Sequence, residues 1–193
     1  MLVIGSIFDN TPVMSLQTGA QLAKITKAMI DPRNLTVVAF EVDGPLLTDT
    51  PTFLRVDDIR DVAPMGIIID SADEMVGLND VIKLKKLYNL GFSLIGLPVI
   101  DEHKRKLGKV ENFTLETGGF VIQQLSVKRG LIRGLTDTGL LIHRSQIVEI
   151  TDTEIIVKGT GQDKKVDPVT EQIRHEYINP FRRPSVQPEQ IEG

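Results

Sequence analysis

The chain has 193 residues, 41% of them hydrophobic and 25% charged, with a net charge of −4 and no cysteine. This composition is ordinary for a folded globular protein; it excludes a disulfide framework, a thiolate metal site and a cysteine nucleophile, and it lacks the strongly basic balance of a typical nucleic-acid binder. No apolar run approaches the roughly 20 residues that span a bilayer, and Met1-Leu2-Val3-Ile4-Gly5 is too short and lacks a basic leader, so a cytoplasmic protein is expected.

Short runs rich in Val and Ile, separated by turn residues, predict strands. In chain order these are Pro12–Ser15, Leu22–Ile30, Thr36–Val42, Phe53–Val56 and Gly66–Ile69. Asp31-Pro32-Arg33-Asn34 supplies the turn after the second of them. A different segment follows. Ser71 and Glu74 have capping-box spacing, and Asn79 is placed to cap a helix over Asp80–Leu90, with Val81, Leu84 and Tyr88 on one face and Gly91 at its end. Strands resume at Pro98–Asp101, Leu107–Glu116, Phe120–Lys128, Leu140–His143 and Glu154–Lys158. Beyond Lys158 the chain is Gly- and Pro-punctuated, and a partly disordered C-terminal tail is expected.

The two runs of strands repeat one pattern. From Ala23 to Val42 the second copy follows without a gap at an offset of 85, so that Lys24 corresponds to Lys109, Ile30 to Leu115 and Val42 to Val127. A period this long points to duplicated globular units rather than stacked solenoid repeats. Inward parity slips by one residue after Ile25 and again between Val37 and Phe40; it slips at the matching places after Val110 and between Ile122 and Leu125. One extra residue in a strand is a bulge, and paired bulges give the curvature that a small barrel requires. The expected fold is therefore all-β: two small bulged barrels joined by a short helix and sharing a buried interface. The expected ranges are 1–70 and 96–160 for the barrels, 71–95 for the helical linker and 161–193 for the tail.

These residues resemble the PRC-barrel domain family. The likeness rests on Pro-Val at the first strand and on Leu-(Ala/Gly)-Lys-(Ile/Val) at Leu22–Ile25 and Leu107–Val110. It continues in the Ile-containing turns Val56-Asp57-Asp58-Ile59 and Arg144-Ser145-Gln146-Ile147. Ala23 stands where a glycine is common. The resemblance implies two PRC-barrel-like domains and a binding role. Relatives include the cytoplasmic part of the photosynthetic reaction-centre H subunit, the ribosome-maturation factor and archaeal division-associated proteins. Such a fold does not by itself choose a function.

Catalytic signatures are few. His103, His143 and His175 have no second ligand at zinc spacing. Asp57, Asp58 and Asp61 read as a solvated turn, and Gly118-Gly119 and Gly159-Thr160-Gly161 lack the helix and lysine of a phosphate loop. No serine sits in a nucleophile elbow. The expectation is a non-enzymatic interaction or scaffold protein without cofactor or metal. The candidate contacts are Lys104, Arg105, Lys106 and Lys109, then Lys128, Arg129 and Arg133, and in the tail Tyr177, Phe181, Arg182 and Arg183. The alternative is RNA binding or ribosome maturation through the basic loops of the second unit.

Overall fold

The computed structural model describes residues 1–129 and 139–159. It is mostly β, with one α-helix. The strands are β1 (Leu2–Ile4), β2 (Pro12–Ser15), β3 (Gln21–Asp31), β4 (Thr36–Asp43), β5 (Thr52–Arg55), β6 (Asp61–Ala63), β7 (Gly66–Ile69) and β8 (Met75–Gly77). After helix α1 (Ile82–Leu90) come β9 (Pro98–Asp101), β10 (Lys106–Glu116), β11 (Val121–Lys128), β12 (Leu140–His143), β13 (Ile147–Ile150) and β14 (Ile155–Val157). Residues 161–193, read above as a tail, lie outside the described residues.

Both halves pair their strands in the same way. In the first, β2, β3, β4 and β5 form an antiparallel series, β7 lies parallel to β2, and β6 closes a hairpin on β7. In the second, β9, β10, β11 and β12 form the series, β14 lies parallel to β9, and β13 pairs with β14. The bulges fall in register: the extra residue is Thr26 on β3 and Val38 on β4 in the first half, and Glu111 on β10 and Gln123 on β11 in the second. These are the positions at which the apolar parity slips in the sequence. The pattern records the bulge because an unpaired extra residue moves every following side chain to the other face.

The ladders nevertheless do not close as barrels. They join into one 14-stranded sheet whose main path runs from β13 to β6. Between β5 and β6 the chain makes a 3-10 turn at Val56–Asp58, and between β12 and β13 it makes one at Arg144–Gln146. In the first half the other edge of β5 is taken by β8, Thr52–Leu54 pairing with Met75–Gly77; in the second, β12 pairs with β11 alone among the described strands. The two halves meet at β4 and β11 through a reciprocal exchange. Val37 N–H donates to the Phe120 carbonyl at 2.9 Å, and Ile122 N–H donates to the Leu35 carbonyl at 2.8 Å. Leu35 and Phe120, equivalent at the offset of 85, are both left-handed, at φ 53° and 51°. Such φ values are unfavourable for bulky residues and persist only where the surroundings fix them. Here both side chains are buried in a single core shared by the halves. Within it Phe40 stacks tilted on Phe8 at 4.9 Å and meets Phe120 edge-on at 6.0 Å. β1, which falls in the 1–70 range, extends the sheet of the second half by pairing with Thr114–Glu116 of β10.

Helix α1 begins later than the sequence pattern suggests. Its N-cap is Val81, which makes no side-chain cap bond. Asn79 instead accepts a hydrogen bond from Lys85 Nζ at 3.0 Å, and the Asp80 carboxylate accepts from Gly77 N–H. The acceptors that would cap a helix at 80 are thus held by other donors. Ser71 caps only the 3-10 turn at Ala72–Glu74, through Asp73 N–H. The helix does end on left-handed Gly91. Its Leu84 is buried against Met29, Ala39 and Phe53, forming a small second core on the outer face of the first half.

Candidate interaction surface

The turn between β9 and β10 is built around a buried carboxylate. Asp101 is 1% exposed, and it accepts hydrogen bonds from His103 N–H, Arg105 N–H and Arg105 Nε at 2.9, 2.9 and 2.6 Å. Burial opposes the charge on Asp101, but the Arg105 amide and guanidinium and the His103 amide override it and hold its pKa below the ordinary carboxylate value. In the first half the same corner is organised by buried Ser15, whose hydroxyl accepts from Thr18 N–H and donates to the Asp70 carbonyl. The two turns share backbone contacts. Gly19 N–H and Lys104 N–H donate to the carbonyls of Ser15 and Asp101, and the Ala20 and Arg105 carbonyls accept from the N–H groups of those same residues.

The first-half turn is one residue longer, and the charges on the two turns differ. Lys104 stands at the position of Gly19, Arg105 at that of Ala20 and Lys106 at that of Gln21. Lys104 keeps the left-handed conformation of its glycine counterpart, with φ 61° against 68°, at a cost that glycine avoids. Directly across β10 and β11, Lys109 faces Lys128; the equivalent pair in the first half is Lys24 facing Asp43. Opposed like charges destabilise a sheet, and opposed unlike charges support it. The Lys109–Lys128 repulsion is partly relieved by Glu111, whose carboxylate lies 3.5 Å from Lys128 Nζ. Both of those side chains are more than half exposed, so this pair contributes only on the order of 0–1 kcal/mol.

A change in the smallest residue accompanies the change in charge. A Cβ on Gly44 would lie 2.5 Å from the Leu22 carbonyl oxygen, whereas on the second half the glycine is Gly108, whose Cβ would lie 2.2 Å from the Lys128 carbonyl oxygen. The close approach of the two strands is thus met by a glycine on β10 instead of one after β4, and the position after Lys128 is occupied by Arg129. Lys158 completes the corner. It follows Val157, which is in register with Asp101, and its counterpart in the first half is Asp70, there paired with Arg60.

Of the predicted contacts, Lys104, Arg105, Lys106, Lys109, Lys128 and Arg129 therefore belong to one end of the second half, where the β9–β10 turn meets the β10–β11 ladder. Arg133, Tyr177, Phe181, Arg182 and Arg183 lie outside the described residues, as does His175. Lys158 and the organising Asp101 were not singled out by the sequence. His143 serves a turn: its ring nitrogen accepts from Ser145 N–H while Gln146 bonds back to His143 N–H. Asp58 is held by a bidentate Arg55 at 2.8 Å on both arms. Among the described residues no group of three or more His, Asp or Glu is gathered as a metal site, and no helix is long and apolar enough to cross a membrane.

The family model described as PRC-barrel domain matches residues 89–164. The match covers the second half; residues 12–69, with the same strand pairing, lie outside it. No curated protein matches the chain.

Proposed function

We propose that the chain is a non-catalytic macromolecular interaction module made of two PRC-barrel-like units, and that the basic corner of the second unit contacts an acidic protein partner. The observation that carries this reading is the difference between equivalent corners. The first half supports a similar turn, one residue longer, and the same ladder with Gly19, Gln21 and Asp43. The strand pairing therefore does not require cations at Lys104, Lys106 and Lys128, whereas Arg105 is the partner of buried Asp101. A residue set that raises local repulsion without a folding need is the kind retained for binding.

The test is affinity purification of the tagged protein from its own cells, with and without nuclease, beside the Lys109→Glu/Lys128→Glu variant. Nuclease-resistant partners that the variant loses support the proposal; partners retained by the variant sink it. Lys104→Gly supplies a second check. It relieves the left-handed strain, so its melting temperature should match or exceed the wild type while its partner recovery falls.

RNA binding is the second reading, favoured by the density of the charges. Opposed lysines place their Cβ atoms about 4.5–5.5 Å apart, close enough to contact neighbouring phosphates. In that case the partners disappear on nuclease treatment, and affinity for a homopolymeric RNA drops steeply as salt is raised.

A further inference from the structure

Along α1, on the first half and away from the basic corner, lies an open groove of about 810 Å³, within the size range of ligand-binding clefts. One wall is the helix flank formed by Lys83, Lys86, Leu87 and Leu90; the other is formed by Val38 with Arg33 and Arg55. Leu90 is 63% exposed although it sits beside this apolar lining. The two arginines are preorganised. Arg33 makes a bidentate contact with Asp31 at 2.9 and 2.6 Å, and Arg55 a bidentate contact with Asp58. Each arginine uses two of its five N–H donors in these contacts. Lys83 and Lys86 make no hydrogen bond or ion pair with the described residues. The acidic groups at the groove are Asp31 and Asp58, engaged by Arg33 and Arg55, and exposed Asp57.

Among the described residues the second half has nothing comparable. Val38 corresponds to Gln123, Arg33 to Gly118 and Arg55 to His143, and among the described residues no helix covers that face. The lining is therefore particular to the first half rather than a requirement of the shared strand pairing. We infer that this groove docks an acidic amphipathic segment of a partner protein, its apolar side chains against Val38, Leu87 and Leu90 and its carboxylates on Lys83, Lys86, Arg33 and Arg55. This is the helix-in-groove mode of recognition, made selective by charge. It is independent of the basic corner and gives the molecule a second contact surface.

The experiment is fluorescence anisotropy of the full-length protein with a labelled 14-residue peptide carrying leucines three and four positions apart among glutamates. A peptide with each glutamate replaced by lysine is the control. The expected results are saturable binding of the acidic peptide and none of the control. At least tenfold weaker binding is expected for Lys83→Glu/Lys86→Glu and for Leu90→Glu, all at exposed positions and so compatible with folding. The corner variant Lys109→Glu/Lys128→Glu should bind the peptide like the wild type; loss there would assign the peptide to the corner and overturn the groove. Equal binding of both peptides, unchanged affinity in the groove variants or no binding up to millimolar concentration would also overturn it. Sedimentation of the same variants provides a further arm. A wild-type dimer that Leu90→Glu dissociates would make a second copy of the chain the occupant and overturn the proposal.

Discussion

Asp101 shows how one side chain can shape a surface of opposite charge. It is buried, it closes the β9–β10 turn, and it fixes Arg105 while leaving Lys104 and Lys106 exposed. Its folded pKa is lowered, so its contribution to stability is present in full above the unfolded carboxylate value near 4 and is lost as pH falls through the folded value. Asp31 and Asp70, lowered by Arg33 and Arg60, act in the same direction. Thermal melts across the acid range should therefore show the wild type losing stability below about pH 4. Asp101→Asn should melt lower at neutral pH and show a shallower acid slope, without abolishing it. Superimposable pH profiles would remove Asp101 from this role. The lysines and arginines of the corner were legible as a cluster because most lie within a few residues of one another. Asp101 was legible only as a strand residue, since its burial depends on packing. Lys158 escaped notice because only the parallel β9–β14 ladder brings it to the turn.

The long strands and most of the short ones could be read from the sequence, the four-residue β2, β7, β9 and β12 at their observed bounds, whereas β1, β6, β8 and β13 could not. β3, β4, β10 and β11 were found within a residue or so of their bounds, with both bulges, because eight to eleven residues show a period and its interruptions. β1, β6 and β8 have three residues each and no period to detect. The helix was legible by its apolar spacing and its glycine end, but not at its start, where tertiary partners took the capping groups. Its attachment rests on Leu84, which is 4% exposed. Leu84→Ala should destabilise the protein by about 2–5 kcal/mol, whereas Asn79→Ala, which removes only an exposed contact to Lys85, should change stability by less than about 0.5 kcal/mol. Denaturant melts of the two variants distinguish them. A larger effect of Asn79→Ala would restore it as the helix cap.

At the scale of the molecule, residues 1–159 form one compact unit, and the aromatic cluster of Phe8, Phe40 and Phe120 lies where the halves join. Phe40→Ala should therefore cost about 3–5 kcal/mol and lower a single calorimetric transition involving both halves, with calorimetric and van 't Hoff enthalpies in agreement. Two transitions, only one of them shifted, would show that the halves unfold separately. The recurrence of one strand pattern in both halves was plain in the sequence, and so was the expectation of curved, bulged strands. The open ends of the ladders were not, since what pairs with the other edge of β5 or β12 is decided by tertiary contacts and not by a local pattern.

The reciprocal bonds of Val37 with Phe120 and of Ile122 with Leu35 obey the rule of an isologous contact, in which each side offers the other what it receives. Two separate identical chains meeting in this way would have to carry every surface mutation twice. Once both halves are on a single chain, that constraint is lifted. A lysine gained beside Asp101 need not be matched beside Ser15, and a helix laid over Met29 need not be matched over Thr114. The joint preserves the symmetry of the interior and leaves the exterior of each half free to specialise.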